Sequence, residues 1–151
     1  MRISEICNRE VVVVDGTCTL LEAAKIMRQH HVGSIVVVDG TGDKAKPIGI
    51  LTDRDVVIEI LAEDVAMDSV AVKDVMSPEI VLAQEDDELW ETVQRIRDKG
   101  IRRLPVVNKK GYLIGIVTAD DIIELLAEVF NDLAALIKRG QRREERRQVK
   151  T

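Results

Sequence analysis

Two stretches of the chain repeat one arrangement of oxygen-bearing side chains. GILTDRDVV, residues 49–57, places Thr52 three residues before Asp55, and GIVTADDII, residues 115–123, places Thr118 three before Asp121. A hydroxyl and a carboxylate at this spacing suit two kinds of chemistry. At the start of a helix they form a capping box, each side chain accepting from the other residue's backbone N–H, which is worth on the order of 1 kcal/mol. Alternatively, the free N–H groups and the positive dipole end of such a helix attract an anion. The Thr hydroxyl then donates to a phosphate, and the carboxylate accepts from both hydroxyls of a ribose. Arg54, inside the first pair, adds a fixed cation with bidentate reach. Both readings require a strand that ends at Thr and a helix that begins directly after it.

The elements that must position these residues also come in duplicate. At an offset of 69, Glu10, Val11 and Val12 fall on Glu79, Ile80 and Val81, Leu20 on Leu89, Glu22 on Glu91, and Val37 and Val38 on Val106 and Val107. Past the turn GTGDKAKP the offset drops to 66, because the second copy has the shorter NKKGY, and a length change confined to a turn leaves the flanking elements paired as before. Each half predicts a β-branched strand (11–14, 80–82), a helix with apolar residues at helical spacing (19–30, 88–99), and a left-handed glycine to end it (Gly33, Gly100). Two strands around a Gly-containing turn follow (34–39 with 48–52, 104–108 with 112–118), then a closing helix (53–62, 119–137). The fold class is α+β, with two β-α-β-β-α repeats over residues 1–69 and 70–137 and a basic tail at 138–151. The last helix is apolar at Ile122, Ile123, Leu126, Val129, Phe130 and beyond. Its stripe suits either a core helix or a partner-facing surface, most economically a second copy of the chain.

Composition narrows the function classes. The 151 residues are 46% hydrophobic and 32% charged, a globular balance. Trp90, Tyr112 and Phe130 are the only aromatics, too few to stack single-stranded bases. The net charge of −5 is unevenly placed, since residues 138–151 hold seven Lys/Arg against two Glu and the body is acidic. Cys7 and Cys18 lack the spacing of a metal or disulfide framework, and His30 and His31 are adjacent and point to different helix faces with no third ligand nearby. The GTG at residues 40–42 lies between strands and is a hairpin turn, not a phosphate loop. No catalytic motif with a nucleophile and base emerges. Neither a membrane span nor a signal-peptide core is legible, so a cytoplasmic, non-enzymatic, metal-free protein is expected.

The doubled run of strand, helix, GIRRLPVVN, turn and GIVTADDII resembles a tandem pair of CBS domains, the cystathionine-β-synthase type repeat or Bateman module, over about residues 1–130. The resemblance implies two halves packed sheet to sheet with two clefts for adenosine-containing ligands: AMP, ADP, ATP or S-adenosylmethionine. In such modules the Asp holds the ribose, the Thr region holds the phosphate, and the adenine lies against the opposite repeat. By position, one cleft would combine Thr52, Arg54 and Asp55 with Ser77, Pro78, Glu79, Ile80, Arg102 and Arg103. The other would combine Thr118 and Asp121 with Asn8, Arg9, Glu10, Val11, Gly33 and Ser34. The first gathers three Arg. The second has Asp120 at the Arg54 position and the neutral Gly33 and Ser34 at the Arg102 and Arg103 positions, so phosphorylated ligands are expected in the first.

The function expected on this basis is a regulatory module that senses an adenosyl ligand as a homodimer and signals to a separate effector protein, without nucleic acid or membrane. A dimerisation scaffold whose Thr and Asp pairs only cap helices is the alternative. A third reading makes the basic tail a nucleic-acid contact.

Overall fold

A computed structural model describes residues 1–150. The chain forms two compact units, Met1–Val117 and Thr118–Thr151. In order along the chain come α1 (Ile3–Ile6), β1 (Val13–Asp15), α2 (Leu20–His30), β2 (Ser34–Asp39), β3 (Lys46–Thr52), α3 (Asp53–Asp55), β4 (Ala83–Gln84), α4 (Leu89–Lys99), β5 (Arg103–Val107), β6 (Leu113–Thr118) and α5 (Ala119–Gln148). The strands make two three-stranded mixed sheets, β1-β2-β3 and β4-β5-β6.

The duplication legible in the sequence is a duplication of register. β1 runs parallel to β2 with Val14 opposite Val37 and Asp15 opposite Val38, and β4 runs parallel to β5 with Ala83 opposite Val106 and Gln84 opposite Val107. Parallel neighbours need a crossover, which α2 and α4 supply. β4 is one residue shorter for a covalent reason. In the first sheet Val36 N–H donates to the Val12 carbonyl at 3.1 Å; the equivalent residue of β5 is Pro105, which has no N–H to give.

β2 is buried on both faces, which explains its uninterrupted apolar run. Ile35 and Val37 pack with Leu20, Ala23, Met27 and Leu51, while Val36 and Val38 face Leu113 and Ile116 of β6, so the two sheets meet face to face. Each sheet is also extended by the segment that leads into the other repeat. Asn8 bridges to Ile116, and Ser77 bridges to Ile50. Glycines make these approaches possible. A Cβ built on Gly49 would lie 2.9 Å from the Ser77 carbonyl oxygen, and one on Gly115 would lie 2.9 Å from that of Asn8. The chain begins the same exchange earlier: α1 donates Ile3 N–H to the Asp87 carbonyl, and the 3-10 turn at Val72–Asp74 donates Val72 N–H to that of Cys18. Neither short element has enough residues to show a period in sequence.

Several boundaries differ from the sequence expectation. The left-handed residue ending α2 is His31 (φ 52) and not Gly33, whereas Gly100 (φ 63) does end α4. The helix after β3 is α-helical only over Asp53–Asp55 and continues as a π-helical turn, Val56–Leu61. α5 is 30 residues long and carries the basic tail through to Gln148, as the helix propensity of Arg, Glu and Gln allows. Along α5, Ile122 is buried, but Ile123, Leu126, Val129, Phe130, Leu133, Leu136 and Ile137 are all exposed. Among the described residues no helix is long and apolar enough to cross a membrane.

Candidate functional site: the hollow at the Thr52 strand end

Thr52 ends β3 in extended conformation and caps the next helix. Its hydroxyl accepts from Asp55 N–H at 3.1 Å, and Asp55 Oδ2 accepts from Thr52 N–H at 3.0 Å. In the second unit Thr118 and Asp121 form the same box at 3.1 and 2.9 Å. The capping chemistry is therefore present in both copies. It uses one oxygen of each carboxylate, and a carboxylate has about four acceptor sites.

Beside the first box there is room. A cavity of about 280 Å³ is lined by Thr52, Asp55, Ser77, Glu79, Ile80, Arg102 and Arg103, together with the apolar Ile50, Val81 and Ile101. That volume lies near the lower end of small-molecule sites, about 300 to 1,000 Å³. Three separate pieces of chain build it. β3 contributes Ile50 and Thr52, which share a face because strand side chains alternate. Ser77 N–H donates to the Ile50 carbonyl at 3.2 Å, drawing residues 77–81 alongside. Gly100, with its positive φ, turns the chain from α4 into β5 and brings Ile101, Arg102 and Arg103 to the rim. Val81 completes the wall just before β4 begins.

The remaining expected residues go elsewhere. Arg54 lines a separate shallow hollow with Asp53, Val57 and Ile58, because successive helical residues project about 100° apart and Asp55 takes the cavity side. The expected trio of arginines is thus a pair at this cavity. Pro78 lies in the turn between Ser77 and Glu79 and accepts from Ile80 N–H at 3.1 Å. Asn8, Glu10 and Val11 line another hollow with Val12, Val13, Ile26, His30 and Val32. The Arg9 guanidinium donates to the Ser4 carbonyl at 3.3 Å. Gly33 and Ser34 stand next to Thr52: the Gly33 carbonyl accepts from Asp53 N–H at 2.9 Å, and Ser34 pairs with Thr52 across the sheet. Ile50, Val81 and Ile101 escaped the sequence reading, although Ile50 was accessible to it through the two-residue strand period that links it to Thr52.

Neither thiol is poised for nucleophilic chemistry. Burial raises the Cys7 thiol, and burial, joined by the hydrogen bond from Cys18 Sγ to Glu22 Oε2 at 3.2 Å, pushes Cys18 up to about 11. Since the thiolate is the reactive form, and a more basic thiolate is in turn the better nucleophile, Cys18 is expected to react with iodoacetamide at pH 8 about tenfold more slowly than a cysteine at the ordinary value of 9.0. Peptide mapping of a timed alkylation checks this, and a rate equal to that of a free thiol would contradict it. Among the described residues no group of three His, Cys, Asp or Glu could hold a metal ion.

A duplicated β-α-β-β-α unit, joined through exchanged leading segments and hollowed at a strand-to-helix junction, defines the class of paired-repeat α+β modules. The CBS domain model matches residues 3–62 and 72–128, and the chain belongs to the CBS domain family. It is similar to an uncharacterised protein of Methanopyrus kandleri, 42% identical over 82% of this chain and 61% of that relative's length. Among solved structures, the CBS domain pair of protein MJ0100, in complex with 5'-methylthioadenosine and S-adenosyl-L-methionine, superposes with a TM-score of 0.72 at 25% identity over 85% of this chain and 97% of that one. A CBS domain protein from Pyrobaculum aerophilum complexed with AMP gives 0.70 at 25% identity, over 80% and 89%.

Proposed function

We propose that the chain is a regulatory module that takes an adenosine-bearing ligand, preferentially a phosphorylated one such as AMP, in the cavity beside Thr52 and Asp55, and reports its occupancy to a separate protein. The observation carrying this reading is the cavity itself. A half-buried carboxylate at a helix start, two guanidinium groups at the rim and an apolar wall of Ile50, Ile80 and Ile101 supply one partner each for ribose, phosphate and purine. The ligands of the two solved relatives, AMP in one and methylthioadenosine with S-adenosylmethionine in the other, share the adenosine part. A ligand changes the module's output only by binding one of its arrangements better than another.

The closed capping boxes favour a second reading, a dimerisation scaffold in which Thr52 and Asp55 serve only their own backbone. Thermal melts with AMP, ADP, ATP and S-adenosylmethionine separate the two. At 100 times its dissociation constant a bound ligand adds about 2.7 kcal/mol of stability, whereas a flat series across all four supports the scaffold. In calorimetric titration Asp55→Ala is expected to weaken AMP by about tenfold or more, as loss of hydrogen bonds to a charged group does. Asp121→Ala, which removes an identical cap from α5, leaves that titration unchanged. Equal losses from both substitutions would overturn the assignment to the Asp55 cavity.

A further inference from the structure

We infer that α5 pairs with α5 of a second copy in antiparallel orientation, with a midpoint near Asn131. The inference stands independently of what the cavity binds. From Ala119 to Ile137 the helix carries carboxylates at Asp120, Asp121, Glu124, Glu128 and Asp132 and no Lys or Arg, and from residue 138 to its end at Gln148 it carries six Lys/Arg against two Glu. Between these ends runs an apolar seam. Leu126, Val129, Leu133 and Leu136, all exposed, are spaced alternately three and four residues apart, the pattern of a two-helix contact. Ile123, Phe130 and Ile137 flank it every seventh residue, and they are 62%, 69% and 62% exposed. So large a contiguous apolar face marks an interaction surface.

Charge selects the partner and its direction. Continued at the same spacing, the seam reaches Gly140, Arg143 and Arg147. A second copy laid parallel and in register would set Arg143 and Arg147 against themselves and each acidic half against the other, which is repulsive throughout. Reversed about Asn131, the same helix sets Leu126 opposite Leu136 of the second copy and Val129 opposite Leu133. Phe130 then lies across the twofold axis from its own copy. Lys138 comes beside Glu124 and Arg142 beside Asp120 at both ends, an isologous contact that closes on itself.

The test uses the full chain in a Cys7→Ala, Cys18→Ala background with a spin label at Gln141→Cys. In the antiparallel pair the labels lie ten residues to either side of the midpoint, separated by about 30 Å along the axis at 1.5 Å per residue. In a parallel pair they are separated by little more than the interaxial distance of about 8 to 10 Å and the label arms. Sedimentation is expected to show a dimer whose dissociation constant rises at least about tenfold in the triple variant Glu124→Lys, Glu128→Lys, Asp132→Lys, since Lys keeps the helix propensity and reverses the charge. A short distance at Gln141 would overturn the proposal. A monomer at all concentrations, a dimer indifferent to the charge reversal, or a monomer that instead binds a DNA duplex through the basic segment would do so equally.

Discussion

Gly49→Ala and Gly115→Ala are each expected to lower the unfolding free energy by about 1 to 3 kcal/mol, the range for forcing a methyl into a packed site. At Gly49 the new carbon would lie 2.5 Å from Met76 Sδ and 2.9 Å from the Ser77 carbonyl oxygen; at Gly115 it would lie 2.6 Å from Cys7 Sγ and 2.9 Å from the Asn8 carbonyl oxygen. A thioether or thiol can swing aside at small cost, but a backbone oxygen held in a bridge cannot move without breaking that bridge. Relief therefore requires the leading segment to withdraw from the neighbouring sheet, with the larger loss expected from bulkier residues such as valine. Gly140 provides the control of opposite sign. It lies inside α5 with nothing within 4 Å of its added carbon, so Gly140→Ala is expected to stabilise by about 0.5 to 1 kcal/mol. Denaturant midpoints for the three variants check the ordering. An unchanged midpoint for both Gly49→Ala and Gly115→Ala would show that the segments do not sit against these strands.

The double substitution Arg102→Ala, Arg103→Ala is expected to weaken AMP by about 10- to 100-fold while changing adenosine by only a few-fold. Each charge-assisted hydrogen bond to a phosphate is worth about 1.5 to 3 kcal/mol when sheltered, and about 1.4 kcal/mol is a factor of ten in affinity. Both side chains are exposed at the rim, so the lower part of that range applies. The comparison of two ligands matters more than either value. If the arginines hold phosphate, the loss appears only with the phosphorylated compound and shrinks as salt is raised. Equal losses for AMP and adenosine would mean that the pair supports the base or the wall, and the preference for phosphorylated ligands would fall.

How much of this could be seen in the residues alone depended on whether a feature repeats. The two halves were legible because Val37 and Val106, or Thr52 and Thr118, occupy equivalent positions, and the β-α-β-β-α order followed from periods of two and 3.6 that twelve-residue segments display clearly. The resemblance to paired CBS repeats then brought Thr52, Asp55, Ser77, Glu79, Ile80, Arg102 and Arg103 to one expected place, and these seven residues share a cavity. What escaped has no period. Arg2, Asn8, Thr19 and Ser77 each take part in a single bridge to a distant residue, and one residue carries no pattern. Arg54 was grouped by adjacency, although neighbours on a helix face different ways. His31 took the left-handed position two residues before the glycine that local rules favour, since α2 ended where its own last turn closed, with His31 N–H bonded to the Arg28 carbonyl. The tail beyond residue 137 offered strong helix formers without an apolar stripe, leaving helix and coil unresolved until the structure showed α5 running on.

The traded leading segments also impose an order of events on a nascent polypeptide. Asn8 emerges early yet cannot be seated until Ile116 has left the ribosome, and Ile50 keeps a bare flank until Ser77 arrives. Neither repeat can reach its final pairing while the other is unfinished, so maturation waits for nearly the whole length of the first compact unit. Loop closures this long slow the search for the native state. A chain cut between its repeats would leave two halves, each with an open edge shaped to capture the missing one.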